Sequence, residues 1–276
     1  SRKWISGFTG SAGTVVITHH EAGLWTDSRY FLQAAQQLEG TEIVLYKEML
    51  PETPSIPAFL AAHLKAEETV GIDGKMFSAT QVALLEKELA EANISIKAIA
   101  DPMEELWTDR PSIPNTPAFI YDICYAGKSC EEKIETIRKA ILKDGAKYIL
   151  LTALDEIAWT LNIRGNDVHC NPVVISYLLI GQDSVHFFIE PEKVTKELAA
   201  YLHRNNIEIH SYNEIEQFLK LLNNTSILAE PSKTNYSVYS AIAPECTIVT
   251  GPSPVSLLKA IRNEQEISGI RSAMLK

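Results

Sequence analysis

Residues 24–38 read LWTDSRYFLQAAQQL, and this stretch decides the fold class of the chain. An apolar run ends at Trp25, a turn follows, and apolar or small side chains at positions 30, 31, 34, 35 and 38 then line one face of a helix. Thr26 or Asp27 is the predicted N-cap of that helix, because each side chain carries an oxygen that can accept a backbone N–H. A strand that leads through a short turn into a helix indicates an α/β unit.

Arg29 lies in the first turn of that predicted helix. Backbone N–H groups there carry a partial positive charge, so a cation costs a few tenths to about 1 kcal/mol. Two explanations stay open at this point. A carboxylate such as that of Asp27 neutralises Arg29 in an ordinary structural ion pair, or a ligand outside the domain uses the guanidinium.

Strand and helix patterns also alternate through the rest of the chain. GTVVIT (13–18) predicts a strand that returns through a hairpin loop, where we expect His19 and His20 to be solvated turn residues. The chain begins in a strand-like segment. Prolines at positions 111, 114 and 117 cannot lie in a central strand or a helix interior, so we predict a domain boundary there, with a first domain at 1–110.

The two halves of the sequence match each other in the same order, which indicates an internal duplication. The matched segments are WISGFTG (4–10) with WTLNIRG (159–165), VVIT (15–18) with VVIS (173–176), LWTDSRYF (24–31) with FFIEPEKV (187–194), and VGIDGKMFS (70–78) with ILAEPSKTNYS (227–237). Asp27 is thereby opposite Glu190, and Asp73 is opposite Glu230. The predicted fold class is α/β, with two related domains that each contain a mixed β-sheet flanked by helices.

Composition excludes several function classes. The formal net charge is −10 with no basic run of five or more, so nucleic acid and anionic membrane surfaces are not expected partners. No apolar run approaches the roughly 18–20 residues of a membrane helix, and no apolar segment of a signal peptide follows the N-terminal SRKWISG. Four scattered cysteines without a CxxC pair suit reduced thiols in a cytoplasmic protein.

A search for catalytic patterns finds none, so we predict no catalytic residue and no metal ligand in this chain. The glycines of GFTGSAG (7–13) precede a strand, which is the wrong order for a phosphate-binding loop, and tight turns explain them. Asp155 and Glu156 begin a predicted helix, where acids cap the helix and suit its dipole. Arg164 follows in a predicted turn, where it either fixes the loop through backbone carbonyls or reaches out of the domain.

Several motifs together carry a family resemblance: RKWISGFTGSAGTVVIT, LWTDSRYFLQAA, LWTDRPSIP, YAGKSCEEKI, LDEIAWTLNIRGNDVHCNPV and SPVSLLKAIRNEQEISGIR. In this order they resemble the N-terminal part of three-domain Xaa-Pro aminopeptidases, of the creatinase/prolidase metallopeptidase family. The resemblance implies two creatinase N-terminal-like domains at 1–110 and 111–256. It also implies that residues 257–276 are a linker and the start of the first helix of a catalytic domain.

The resemblance implies an activity that this chain does not complete. Family members release an N-terminal residue that is followed by proline, with two Mn²⁺ or similar divalent metals bound by two Asp, one His and two Glu of the catalytic domain. None of these ligands maps onto this chain, so we expect no cofactor and no hydrolysis from it alone. The implied partners are a peptide with proline in second position, the catalytic domain and a possible homodimer partner. Family members also have a further strand and loop before RKW.

One substrate contact carries over from the resemblance. The arginine of the family's WTDxRYF motif faces the catalytic cleft and binds the substrate peptide, and Arg29 occupies that position here. Ser28 stands where family members usually have glycine, which is a modest departure because serine suits the first turn of a helix. Arg29 is therefore the predicted substrate-binding residue.

Two alternatives to this reading remain. A non-catalytic protein-binding module derived from a peptidase-like ancestor would use the acidic balance to bind a basic partner. Prolidase or creatinase chemistry is a narrower alternative, although those relatives usually have one N-terminal domain and this chain has two.

Overall fold

The computed structural model describes residues 1–275, which form two compact units. The first unit comprises Ser1–Asp73 and Val82–Thr108, and the second comprises Gly74–Gln81 with the residues from Asp109 onward. Each unit contains β-sheet and helices, so the predicted α/β class with mixed sheets is confirmed. No helix among residues 1–275 is long and apolar enough to cross a membrane.

The first unit contains a three-stranded and a two-stranded sheet. Its elements are α1 (Arg2–Ser6), β1 (Thr14–Ile17), β2 (Ala22–Thr26), α2 (Phe31–Gln37), β3 (Ile43–Lys47), α3 (Ile56–His63), β4 (Thr69–Asp73), α4 (Ala79–Leu89, in this unit from Val82) and β5 (Ser95–Ile99). Strand β2 lies between β1, its antiparallel hairpin partner, and β3, to which it is parallel. Strands β4 and β5 pair in parallel.

Burial of β2 anchors this first unit. Trp25 is 1% exposed and stacks on Tyr46 of β3, with ring centroids 4.0 Å apart. Phe59 of α3 meets the Trp25 ring edge-on at 4.9 Å. Phe8 and Leu24 form a second buried cluster, on which Tyr30 packs. Full burial of a large apolar side chain contributes roughly 1.5–3 kcal/mol, so these aromatic contacts stabilise the packing of β2 in the first unit.

The second unit contains a six-stranded mixed sheet. Its elements are β6 (Phe119–Ile120), α5 (Ile123–Ala126), α6 (Cys130–Lys143), β7 (Tyr148–Leu151), α7 (Leu154–Leu161), β8 (Ile163–Arg164), β9 (Ser176–Gly181), β10 (Val185–Ile189), α8 (Lys196–Arg204), β11 (Glu208–His210), α9 (Ile215–Lys220), β12 (Ser226–Ala229), α10 (Tyr236–Ser240), β13 (Thr247–Thr250), α11 (Pro254–Ala260) and α12 (Glu264–Met274). The strand order is β11-β10-β9-β7-β12-β13. Strands β6 and β8 form a separate antiparallel pair.

Helices pack on the six-stranded sheet and bury its central strands. All residues of β9 and β10 are buried, as expected for central strands. Helix α6 starts with a capping box in which Ser129 and Glu132 each bond the other's backbone N–H. Ile134, Ile137 and Ile141 then recur on one face of α6 and join the main core cluster.

Equivalent positions of the predicted duplication have equivalent local geometry. The C-cap residues that follow α1 and α7 are Gly7 and Asn162, and both adopt the left-handed conformation. Each is followed by a fully buried apolar residue, Phe8 and Ile163. The segments after β2 and β10 both continue into a 3₁₀ turn, at Ser28–Tyr30 and at Pro191–Lys193.

Two equivalent turns of the duplication contact each other within the second unit. Tyr236 N donates to Phe77 O at 2.8 Å, and Ala79 N donates to Thr234 O at 3.0 Å. A second pair of bonds repeats the exchange, with Ser237 N to Gly74 O at 3.0 Å and Thr80 N to Pro231 O at 3.2 Å. Each turn ends in a helix N-cap, Ser78 in one and Asn235 in the other, whose side chain accepts a backbone N–H three residues later.

Two sequence-based expectations about local structure are wrong. The strand-like start is helix α1, which the left-handed Gly7 ends and in which Ser6 Oγ donates to Arg2 O at 2.8 Å. VVIS (173–176), expected to be a strand like its match VVIT, contributes only its last residue to a strand, since β9 starts at Ser176. Val173 and Val174 are buried outside the strand because Asp167 Oδ2 accepts Ile175 N at 2.7 Å and diverts the chain.

Candidate functional site

The site around Arg29 begins where β2 ends. Thr26, the last residue of β2, is fully buried, and its hydroxyl donates to Ala12 O at 2.7 Å. Asp27 is the N-cap of the 3₁₀ turn Ser28–Tyr30, and its Oδ1 accepts Arg29 N at 3.0 Å. Asp27 thus caps the 3₁₀ turn that precedes α2, whereas the N-cap of α2 itself is Tyr30, which makes no capping side-chain hydrogen bond, so the prediction is wrong for the α-helix. The buried end of β2 presents Arg29 on this short, capped turn.

Arg29 pairs with Asp27 in a two-point contact. Asp27 Oδ1 accepts Arg29 Nε at 2.9 Å, and Oδ2 accepts Arg29 Nη2 at 2.7 Å. These hydrogen bonds lower the pKa of Asp27 and raise the pKa of Arg29. The side chains are 66% and 30% exposed, and within residues 1–275 the Nη1 group of Arg29 has no hydrogen-bond partner. Solvent screens exposed pairs of this kind, so exchange of Asp27 for another acceptor costs little.

The Tyr30 ring packs against the guanidinium of Arg29. The Arg29 Cζ atom lies 5.2 Å from the centroid of the Tyr30 ring, and Tyr30 Oη is 2.5 Å from Ser11 Oγ. That hydrogen bond to Ser11 lowers the pKa of Tyr30. The Tyr30 ring also meets the buried Phe8 ring edge-on at 5.8 Å. The Tyr30–Ser11 contact was not predicted, although Ser11 stands in the GFTGSAG segment.

The GFTGSAG segment is an irregular connection beside this site, with bends at residues 11–12. Gly7 is the left-handed C-cap of α1, and Gly13 has φ +153° and a Cβ there would lie only 3.0 Å from Trp25 O, so these two positions favour glycine. A small polar network adjoins it, in which Gln37 Oε1 accepts Thr9 N at 2.9 Å and Thr9 Oγ1 accepts Gln33 Nε2 at 2.8 Å. The network joins the 7–13 segment to α2, which begins two residues after Arg29.

Arg164 has a structural role in the second unit. Its Nη1 group donates to Ala158 O at 2.7 Å and to Ile163 O at 2.8 Å, and its Cζ lies 4.3 Å from the Tyr121 ring centroid. Burial lowers the pKa of this guanidinium. Of the two predicted roles, the backbone-fixing one is thus observed, although Arg164 lies in strand β8 and not in a turn.

Asp155 and Glu156 lie in the first turn of α7, but neither is its N-cap. The N-cap is Ala153, which makes no side-chain hydrogen bond, so the capping part of the prediction is wrong. Glu156 is buried and accepts Ser256 Oγ at 2.6 Å and Lys233 Nζ at 3.0 Å. These two partners compensate the Glu156 carboxylate, because burial of an unpaired charge would destabilise the folded state.

His19 and His20 are exposed in the β1–β2 hairpin loop, as predicted. The four cysteines are free thiols, of which Cys130 and Cys246 are buried and Cys124 and Cys170 are exposed. Burial raises the pKa of Cys130 to about 12, so this thiol stays protonated at neutral pH.

Comparison with known proteins identifies the family of the chain. Two family profiles, both described as Creatinase/Prolidase N-terminal domain, match residues 1–106 and residues 109–266. Xaa-Pro aminopeptidase app-1 of Caenorhabditis elegans is 32% identical over 282 residues, which cover 99% of this chain and 46% of that protein. Aminopeptidase P2 of Arabidopsis thaliana is 33% identical over 308 residues, which cover all of this chain and 43% of that protein.

The solved structure of X-prolyl aminopeptidase from Caenorhabditis elegans, described as a cytosolic enzyme with a di-nuclear active site, has the same fold. It superposes with a TM-score of 0.90 and 31% identity over 98% of this chain and 45% of that one. The chain thus spans about half the length of the relatives it matches. The profile matches, the end-to-end similarity and the shared fold assign the chain to the creatinase/prolidase N-terminal domain family.

Proposed function

We propose that this chain is the non-catalytic N-terminal part of a metal-dependent Xaa-Pro aminopeptidase that acts in the cytoplasm. The observation that carries the proposal is similarity over 99% of this chain to a protein of which it covers 46%. The proposed arrangement has one creatinase N-terminal-like domain at 1–110, a second at 111–256 and a connection to the catalytic domain at 257–276. The last residue of that connection, Lys276, lies outside the described residues.

The described residues do not fit the dinuclear metal site that the family implies. Within residues 1–275, one group of three or more His, Cys, Asp or Glu side chains has converging donor atoms, namely His186, Glu208 and His210. That set has two histidines and one acid, whereas the implied site uses two Asp, one His and two Glu. We therefore assign no step of peptide hydrolysis to this chain, and we propose that divalent metals such as Mn²⁺ bind in the catalytic domain.

Apolar side chains near the end of the chain support a packing role for residues 257–276. Leu257 and Ile261 are 68% and 69% exposed, and Ile270 and Met274 on α12 are 49% and 82% exposed. Several neighbouring apolar side chains that are exposed together mark an interaction surface. We propose that the catalytic domain covers this surface. The proposal also includes a homodimer contact between two copies of the protein through a different surface.

The proposed role of Arg29 is to hold the substrate peptide. Its planar guanidinium can donate two parallel hydrogen bonds to a peptide carbonyl or carboxylate, and Asp27 contacts its Nε and Nη2 groups but not Nη1. The contact would lie away from the scissile bond, so its binding energy would position longer peptides in particular.

The test uses the complete gene product with added Mn²⁺ and Xaa-Pro peptides of increasing length. Hydrolysis is expected from the complete protein and not from residues 1–276 alone. Absence of cleavage by the complete protein would contradict the proposed function.

Substitution of Arg29 tests its role in the same assay. A hydrogen bond from a charged group contributes about 1.5–3 kcal/mol, so Arg29→Ala should lower kcat/KM for longer peptides by roughly 10- to 150-fold. Arg29→Lys should recover only part of this because lysine lacks the fork. Lys65→Ala, an exposed cation of the same unit, is the matched control and should leave kcat/KM unchanged. An equal effect of Arg29→Ala at every peptide length would argue against the role of Arg29 but not against the peptidase.

A further inference from the structure

Three potential metal ligands meet at one edge of the six-stranded sheet in the second unit. His186 is on β10, and Glu208 and His210 are on the edge strand β11. The parallel register pairs His186 with Glu208 and Phe188 with His210. Residues two apart on a strand share a face, so the register itself places all three side chains on one side of the sheet.

The donor atoms of these side chains form a compact triangle. His186 Nδ1 is 3.1 Å from His210 Nε2 and 3.3 Å from Glu208 Oε2, and His210 Nε2 is 3.8 Å from Glu208 Oε2. In a tetrahedral zinc site with metal–ligand bonds of about 2.0–2.1 Å, neighbouring donors are about 3.3–3.4 Å apart. The three observed separations bracket that value, so the atoms could bind one ion with small adjustments.

The hydrogen bond on the far side of His186 fits a ligand role. Ser184 Oγ lies 3.0 Å from His186 Nε2. With the proton on Nε2 and donated to Ser184, the lone pair of Nδ1 faces Glu208 and His210. Histidines that bind metals commonly have such a partner on the second ring nitrogen, which fixes the tautomer and the ring orientation.

Aromatic packing holds both imidazole rings in place. The His210 ring stacks on Phe188, with centroids 4.9 Å apart, and the Phe218 ring of α9 meets the His210 ring edge-on at 5.3 Å. The His186 ring also contacts Phe218, at 4.6 Å. Ligands on strands with packed side chains lose little freedom on binding, which favours a precise site.

The triangle has one buried and one open side. The His186 side chain is 11% exposed, that of His210 is 23% exposed and that of Glu208 is 64% exposed. An ion could therefore reach the donors from solvent past Glu208. Solvent on that side could also supply a water molecule for the remaining coordination position.

We propose that His186 Nδ1, His210 Nε2 and a Glu208 carboxylate oxygen bind a single Zn²⁺ ion, completed by water. Two imidazoles and one carboxylate suit zinc better than they suit Mg²⁺ or Ca²⁺, which prefer sets of oxygen ligands. The ion would join β10 to the edge strand β11. In its absence, the same three side chains form a hydrogen-bonded cluster.

The test measures Zn²⁺ binding to the metal-stripped 276-residue chain by isothermal titration calorimetry at neutral pH. We expect one ion per chain with micromolar or tighter affinity, and a rise of the unfolding temperature on zinc addition. Glu208→Gln and His210→Gln should each weaken binding at least about tenfold. Co²⁺ in place of Zn²⁺ should give the visible absorption of a tetrahedral site, and this absorption should be lost in both variants.

His203→Gln is the matched control, because His203 is an exposed histidine of the same unit on helix α8. It should bind zinc like the unaltered chain. If His210→Gln does not fold, as judged by circular dichroism, then Glu208→Gln decides, since its side chain is largely exposed. Zinc binding that is absent at micromolar concentration, or equally tight in Glu208→Gln, would overturn the proposal and leave the hydrogen-bonded cluster.

Discussion

The buried ion pair between Lys193 and Asp167 gives a strong test of how the second unit is stabilised. Lys193 Nζ lies 2.6 Å from Asp167 Oδ2, and the two side chains are 0% and 1% exposed. Asp167 Oδ2 also accepts Ile175 N at 2.7 Å. Asp167 Oδ1 is buried and has no hydrogen-bond partner among residues 1–275. The carboxylate therefore depends on Lys193 for charge compensation.

Lys193→Met keeps the length and apolar stem of the side chain but leaves Asp167 unpaired. Removal of one partner from a buried pair costs about 3–5 kcal/mol. We expect the lower end, about 3 kcal/mol, because the Ile175 N–H remains in place. At a urea dependence of about 2 kcal/mol per M, the unfolding midpoint of this unit should fall by about 1.5 M.

The assay is urea unfolding followed by far-UV circular dichroism, with Lys193→Met, Asp167→Asn and the double variant compared as a cycle. The double variant has no charge to compensate, and the amide oxygen introduced by Asp167→Asn can still accept Ile175 N, so it should recover at least half of the loss. Glu135→Gln is the control, since its pair with Arg138 is half exposed and should contribute less than about 1 kcal/mol. A midpoint shift below about 0.3 M for Lys193→Met would refute the reasoning.

Two further predictions concern stability. Burial lowers the pKa of Lys133 to about 8, so between that value and its ordinary 10.5 the unfolded state binds more protons. The free energy of unfolding should then rise in this pH range by up to about 1.4 kcal/mol per pH unit. Urea midpoints measured at pH 7.5, 8.5 and 9.5 should show this rise in the unaltered chain but not in Lys133→Met, and parallel pH profiles of the two proteins would contradict the prediction. Gly13→Ala should destabilise by more than about 1 kcal/mol in thermal unfolding, because of its φ of +153° and the nearby Trp25 O. Gly269→Ala, in an open helical position, should be neutral or stabilising, and equal effects of the two changes would be inconsistent with the strain.

Interactions between residues close in sequence could be predicted. The pairing of Arg29 with Asp27 spans two positions. A cation is unfavourable at a helix N-terminus, so Arg29 together with the nearby acid was enough to anticipate the pair. The hairpin at His19 and His20 is similarly local. Turn and capping chemistry acts over a few residues, and sequence patterns carry that information directly.

Interactions that depend on strand register could not be predicted. His186 and Glu208 become neighbours only because β10 and β11 pair in one of several possible registers. The EIH segment (208–210) is the one local signal, since its acid and histidine share a face of a strand. The burial of Lys193 beside Asp167 was also missed, because lysine is almost never fully buried unless it is paired.

The reciprocal hydrogen bonds between the turns at 74–80 and 231–237 have a consequence for how freely these segments can vary. The contact is isologous, like that across the two-fold axis of a homodimer, because each turn offers the other the same donors and acceptors. All four bonds join backbone groups, so they constrain main-chain shape and leave most side chains unconstrained. Two unlike sequences, GKMFSAT and PSKTNYS, can therefore satisfy one self-complementary geometry.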